Sequence, residues 1–160
     1  MPEIPCFVIV RVYALIINRK KEILLTDEYQ MDMRMTKFPG GGLQYGEGTI
    51  DCLKREAMEE LGQELEVKNH FYTTDFFQET MFFRGYQLIS IYYLAGFKQP
   101  IRFRISDRPF DFPEDVNGSQ SFRWAAIESL RPEDLTFPID RVVLKKLQEP
   151  RTMERITHGK

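Results

Sequence analysis

The sequence predicts an α/β fold layered α/β/α around a mixed β-sheet. Segments rich in Val, Ile, Tyr and Phe alternate with two stretches of helical periodicity. One β-rich segment, residues 86–97, is almost continuously apolar, as a strand covered on both faces would be. The chain has 160 residues and neither an internal repeat nor a linker, so one domain is expected over residues 1–160, with a core from about 6 to 148 and a tail at 150–160.

Taken in order, residues 6–17 and 23–25 read as an opening hairpin around the polar turn Asn18 to Lys21. Residues 29–37 are polar and run into Phe38, Pro39 and the triple glycine Gly40, Gly41 and Gly42, which predicts a tight exposed loop. Residues 49–61 carry Ile50, Leu53, Ala57 and Leu61 on one helical stripe, and Gly62 ends the helix. Residues 67–77 and 86–97 predict two interior strands. Residues 101–105 alternate Ile, Arg, Phe, Arg, Ile, the pattern of a half-buried strand. Residues 106–118, with Pro109 and Pro113, predict a long loop of the kind that carries function in compact domains. A last strand is expected around Trp124, and a second amphipathic helix over 139–147 with Ile139, Val142, Val143 and Leu147 on one face. The tail after Pro150 is expected to fray.

A 42% hydrophobic and 29% charged composition is that of a folded globular chain. The net charge of -2 excludes the broad basic field that drives sequence-independent polynucleotide binding. A small polyanionic ligand would have to be neutralised locally, by bound cations or a few placed Arg and Lys side chains. Cys6 and Cys52 make no metal-ligand pair, and no cleavable leader is apparent, so reduced thiols and a cytoplasmic location are expected. The apolar runs 7–10 and 12–17 are split by Arg11 and fall well short of the roughly 20 residues that cross a bilayer.

The first helix carries the chemistry. At about 100° per residue, Glu56, Glu59 and Glu60 share an arc of about 100° beside the apolar stripe. Like charges at that spacing repel. Either a divalent cation offsets the repulsion, or the face is simply solvated with Arg55 pairing to Glu59 at i+4. Acidic spacing alone does not decide between these.

The glycine loop decides. Gly41 is followed after five residues by Glu47, and after seven more by Arg55-Glu56-Ala57-Met58-Glu59-Glu60-Leu61-Gly62. This resembles the Nudix box, G-x5-E-x7-R-E-U-x-E-E-x-G-U, with U a bulky aliphatic residue. All seven fixed glycine and charged positions match, a coincidence with odds below about one in a million at ordinary residue usage. The two U positions depart from the pattern, with Ala57 small and Gln63 polar. Phe38-Pro39-Gly40, the Trp124 strand and the closing helix extend the likeness to the family's layout.

The resemblance implies a Nudix-type α/β/α sandwich and a metal-dependent hydrolase that cuts a pyrophosphate bond, using Mg²⁺ or Mn²⁺. It implies metal ligands at Glu56, Glu59 and Glu60, a further ligand in the Gly40 carbonyl, and a Glu47–Arg55 ion pair tying loop to helix. Glu59 is the first choice as general base, with Glu79, Glu114 and Asp115 as carboxylates outside the box. Arg34 and Gly41 are assigned to substrate contact. Phe76, Phe77, Phe82, Phe83 and Tyr86, weighed as aromatics that stack a base, read rather as core, Arg102 and Arg104 as a solvated face rather than a phosphate clamp, and Cys52 as a bystander. The expected partner is a small nucleotide-type substrate such as ADP-ribose, a nucleotide sugar or a nucleoside triphosphate, with neither polynucleotide nor membrane; a homodimer stays open. The alternative is a non-catalytic Nudix-like nucleotide or nucleotide-sugar sensor. An isoprenoid-isomerase relative would need a catalytic set that the sequence does not display.

Overall fold

A computed structural model describes residues 7–158; Cys6 lies outside them. The chain is mixed α/β, as predicted, with seven strands and three α-helices among the described residues. Contacts divide it into two units, Met1–Leu15 with Pro39–Phe103 and Ile16–Phe38 with Arg104–Lys160.

In the first unit, β1 (Phe7–Ile16), β4 (Gly40–Gly42), β5 (Leu65–Thr73) and β6 (Tyr86–Phe97) form a sheet in the order β4-β1-β6-β5. Helix α1 (Thr49–Leu61) packs on β4 and β5. Leu53, Ala57 and Leu61 are buried as the helical stripe requires, whereas Ile50, also placed on that stripe, is 42% exposed in the first turn. Gly62 closes α1 in the left-handed conformation at φ 63°, which costs a glycine nothing. Strand β6 is interior as expected, but β5 is an edge strand and ends at Thr73.

The triple glycine departs most from expectation. Gly40 and Gly41 are buried and Gly42 half-buried rather than exposed, and the run is a strand: Gly40, Gly41 and Gly42 pair antiparallel with Tyr13, Val12 and Arg11. The Ala14 N–H donates to the Pro39 carbonyl at 2.8 Å, and the Leu43 N–H to that of Val10 at 2.9 Å. Glycine's low strand propensity is overridden because β1 offers a ladder and, at Gly40, comes too close for a side chain. A Cβ there would lie 2.1 Å from the Val12 carbonyl oxygen.

In the second unit, β2 (Glu22–Gln30), β3 (Met33–Lys37) and β7 (Gln120–Ala126) form a sheet in the order β3-β2-β7. The expected opening hairpin survives as the turn Asn18 to Lys21 and a bridge between Ile17 and Ile23, but goes no further because β1 and β2 belong to different sheets. Residues 29–37 are the tip and second arm of a β-hairpin instead of a polar lead-in. Its two turn residues, Met31 and Asp32, take φ of 51° and 58°, a left-handed pair that Asn-Gly would have advertised and Met-Asp does not. Helix α2 (Pro138–Leu147) buries Ile139, Val143, Leu144 and Leu147, each side chain contributing roughly 1.5–3 kcal/mol. The tail is not frayed: α3 (Pro150–His158) is helical, starting at the proline whose missing N–H costs nothing in a first turn.

Residues 101–105 keep their alternation, with Arg102 and Arg104 exposed, but form no strand. Residues 106–118 are a loop, as expected, held at its ends by backbone bonds: the Ser106 N–H donates to the Phe122 carbonyl at 2.7 Å and the Gly118 N–H to that of Tyr29 at 2.9 Å. Within it the Asp111 N–H donates to Ser121 Oγ at 3.1 Å.

Candidate active site

The site is assembled in the first unit, where the glycine strand runs beside α1. Helix α1 begins after Gly48, whose N–H is taken by the Asp51 carboxylate at 3.1 Å; a glycine has no side chain to return the cap. One turn on, Arg55 reaches back to the strand and loop. Its Nη2 donates to Glu47 Oε1 at 2.7 Å and to the Gly42 carbonyl at 3.0 Å, while Nε donates to Glu47 Oε2 at 2.9 Å. This two-point pairing is the loop-to-helix tie expected for Arg55 and Glu47.

The same guanidinium holds two more carboxylates, with Nη1 donating to Glu56 Oε1 at 3.0 Å and Glu59 Oε2 at 3.2 Å. One cation thus gathers three acids, offsetting the repulsion that the helical wheel exposed. Hydrogen bonds from Arg55 hold the Glu47 carboxyl at about 2, far below the ordinary range, and the reciprocal bonds raise Arg55 still further.

Glu56 faces the glycine strand. An ideal Cβ on Gly41 would stand 2.2 Å from Glu56 Oε1, so the carboxylate occupies the volume that any other residue's side chain would claim. Its side chain is 14% exposed and that of Glu59 57%; Glu60 follows, half-buried, on the same helix. Gly40 lies in the strand opposite Tyr13. Carboxylates grouped against side-chain-free backbone are a hard-oxygen donor set, the chemistry that Mg²⁺ and Mn²⁺ prefer, and in that respect the residues fit such an ion. As the side chains stand, no three Asp, Glu, His or Cys residues among those described converge as ligands; Arg55 draws Glu56 and Glu59 to itself.

The other candidate residues lie elsewhere. Glu79 sits in the β5–β6 connection, where its Oε1 accepts the Gly85 N–H at 2.9 Å. Arg34 and Asp115 belong to the second unit and pair at 3.1 Å, with the Arg34 guanidinium 4.9 Å from the centre of the Phe110 ring; Glu114 is exposed next to Asp115. Phe76, Phe77 and Phe83 are 40%, 71% and 51% exposed, against the expectation of core aromatics; regular strand ends at Thr73, and the chain returns to β6 at the bridge between Glu79 and Gln87. Phe82 and Tyr86 are half-buried.

Cys52 is fully buried beside the glycine strand, its Sγ 3.5 Å from the Gly42 carbonyl oxygen. Burial pushes the thiol up to about 12, with the Glu47 charge adding to the shift, as befits a bystander rather than a nucleophile. Gln63, where the box expects an aliphatic side chain, anchors by hydrogen bonds instead. Its Nε2 donates to the carbonyls of Gln99 and Pro100 at 3.0 and 2.9 Å, and its Oε1 accepts the Arg102 N–H at 3.0 Å. Sequence reading did not single out Arg11 and Tyr13, which adjoin the glycine strand from β1; the alternation of an arginine within an apolar run was the available signal.

A NUDIX domain profile matches residues 8–147. The chain belongs to the Nudix hydrolase family. No curated protein sequence matches it. Among solved structures, its fold is similar to that of the E. coli ORF135 protein, at 20% identity and a TM-score of 0.65 over 97% of this chain and 96% of that one. It is also similar to the MutT protein from Methanosarcina mazei Go1, at 18% identity and a TM-score of 0.63 over 96% and 98% of the two chains. A UDP-X diphosphatase shares the fold at 16% identity and a TM-score of 0.60, over 96% of this chain and 64% of that one. No helix among the described residues is long and apolar enough to cross a membrane.

Proposed function

We propose that the protein is a divalent-metal-dependent pyrophosphohydrolase, cleaving a phosphoric anhydride in a nucleoside diphosphate linked to another moiety. ADP-ribose, nucleotide sugars and nucleoside triphosphates fall in that class. The observation that carries the reading is the seating of the Glu56 carboxylate on Gly41, within the pattern that joins the glycine strand to α1. The likeness of fold to a UDP-X diphosphatase is consistent with nucleotide sugars among the substrates to test.

Glu56, Glu59 and Glu60, with the Gly40 carbonyl, would hold Mg²⁺ or Mn²⁺. Bound there, the ion supplies charge masking for the anhydride and a Lewis acid for its phosphoryl oxygens. Arg55 keeps the helix carboxylates in register with the glycine strand through Glu47 and the Gly42 carbonyl. Glu59, the most exposed of the three acids, is assigned to take the proton of the attacking water. Glu79 and Asp115 are engaged by the Gly85 N–H and Arg34, which makes them weaker choices for that role. Gly41 and Arg34 are assigned to substrate contact, Gly41 for its bare backbone and Arg34 for its charge.

The test is product release from the purified chain with Mg²⁺ or Mn²⁺ across these substrate classes, with Glu56→Gln and Glu60→Gln alongside. Turnover that both substitutions abolish supports the reading. Full activity in both variants would overturn the site, and tight nucleotide binding with no turnover of any compound would favour a sensor.

A further inference from the structure

We propose that a cavity in the second unit, between the turn before β2 and the end of α2, is a binding site for a small amphipathic monoanion such as an aryl carboxylate. Every residue that lines it belongs to that unit, so it shares none with the carboxylate site on α1.

The cavity measures about 600 Å³, within the roughly 300–1,000 Å³ of small-molecule sites. Buried Ile127, Leu130 and Leu147 line it, and Ala126, Pro132 and Met153 add apolar surface that solvent reaches. Met153 comes from α3, a helix that buries none of its residues fully. Gln148, one residue beyond α2, donates through Nε2 to the carbonyls of Ile127 and Leu130 at 2.9 and 2.7 Å. Those bonds satisfy two acceptors in the wall and fix the end of α2 to the segment after β7. An apolar hollow held open in this way is stabilised when the apolar body of a ligand displaces its water.

Charge selects the other end of the ligand. Lys20, Lys21, Glu128 and Arg131 also line the cavity, and all four are exposed. Arg131 is committed to Asp134 at 2.8 Å and to Glu133 at 3.8 Å. Among the described residues no salt bridge engages Lys20, Lys21 or Glu128. Two ammonium groups against one carboxylate leave a single net positive charge, which matches a monoanion. The turn that carries the lysines is fixed. Asn18 Oδ1 accepts the N–H groups of Lys20 and Glu22 at 2.9 and 3.0 Å, and the Lys21 carbonyl accepts the Ile127 N–H at 3.1 Å. Lys21 takes a φ of 60°, a left-handed conformation that glycine or asparagine would adopt at less cost. A lysine kept at a strained turn position beside a cavity points to a use for its side chain.

The experiment titrates the purified full chain with anilinonaphthalenesulfonate, an aromatic monoanion, and with phenylnaphthylamine, which has the same rings without the sulfonate, reading dye fluorescence. The wild type is expected to bind the sulfonate saturably, and the neutral compound about fivefold or more weakly. Lys20→Gln combined with Lys21→Asn removes both charges and keeps a residue that accepts the left-handed turn. That variant should lose about fivefold or more in affinity for the sulfonate and none for the neutral compound. Met153→Trp fills the cavity and should abolish saturable binding of both. A wild type that binds neither compound saturably would overturn the proposal, as would equal affinity for the two. Binding that persists unchanged in the folded lysine variant or in folded Met153→Trp lies elsewhere on the surface and overturns it too. Should either variant fail to fold, the other decides.

Discussion

Glu56 Oε1 and Gly41 are placed so that a methyl group on the glycine would stand 2.2 Å from the carboxylate oxygen. The clash is with the mobile end of a long side chain, whereas the neighbouring glycine, Gly40, faces fixed backbone at 2.1 Å with a φ of 152°. The two glycines therefore serve different ends, Gly41 the carboxylate and Gly40 the sheet.

Gly41→Ala should keep the fold and lose the activity. The Glu56 carboxylate swings aside, and a displacement of about 1 Å in a reacting group costs on the order of a hundredfold in rate. Gly40→Ala should instead lower stability, by about 1–3 kcal/mol or more, through strained backbone and a carbonyl contact. Thermal melts paired with hydrolysis rates separate the two; equal loss of stability in both variants would contradict the assignment.

The Glu47–Arg55 pair predicts acid sensitivity. Glu47 has its carboxyl lowered from 4.5 to about 2 in the folded chain, so the unfolded state takes up the proton first as pH falls. The stability contributed by the pair is complete above about pH 4.5 and is lost between there and pH 2. Urea unfolding at pH 6 and pH 3 should show a smaller fall for Glu47→Gln than for the wild type. A fall of the same size in both would show that the pair is not what acid breaks.

Gln63→Leu restores the aliphatic residue of the family pattern and should nevertheless destabilise. It removes three hydrogen bonds to the backbone of Gln99, Pro100 and Arg102, and a part-buried group left unpaired costs about 1–3 kcal/mol. Chemical denaturation gives the comparison, and an unchanged or raised midpoint would show that packing at this position outweighs the bonds.

Cys52 should resist alkylation at pH 8 in the folded chain and react on unfolding. Its thiol is buried and shifted up to about 12, which leaves almost no thiolate at that pH. Peptide-level mass spectrometry after iodoacetamide treatment distinguishes it from Cys6. Rapid labelling of Cys52 without unfolding would mean that the glycine strand opens readily.

Much of the chain was legible residue by residue. Helices α1 and α2 and strand β6 follow from spacing of apolar side chains, and the Gly62 stop follows from the left-handed turn that glycine supplies. The Glu47–Arg55 tie was legible through the fixed distances of the box. What misled was local character taken as destiny. The glycines read as loop and fold as strand because β1 supplies their ladder; Met31-Asp32 reads as polar lead-in and is a tight turn because β2 and β3 pair around it. Ile101 to Ile105 alternates like a strand, but part of its backbone bonding goes to Gln63.

The sequence by itself determined that three acids share one helix face, that a glycine run stands at a set distance before them, and that the family is Nudix. Covalent spacing decides all of these. Only the tertiary structure decided that Gly41 makes room for Glu56, that Arg55 caps the Gly42 carbonyl, and that Arg11 and Tyr13 adjoin the same strand. Those relations join residues far apart in the chain, and they depend on which strand pairs with which, a choice made by packing and hydrogen bonding over the whole sheet.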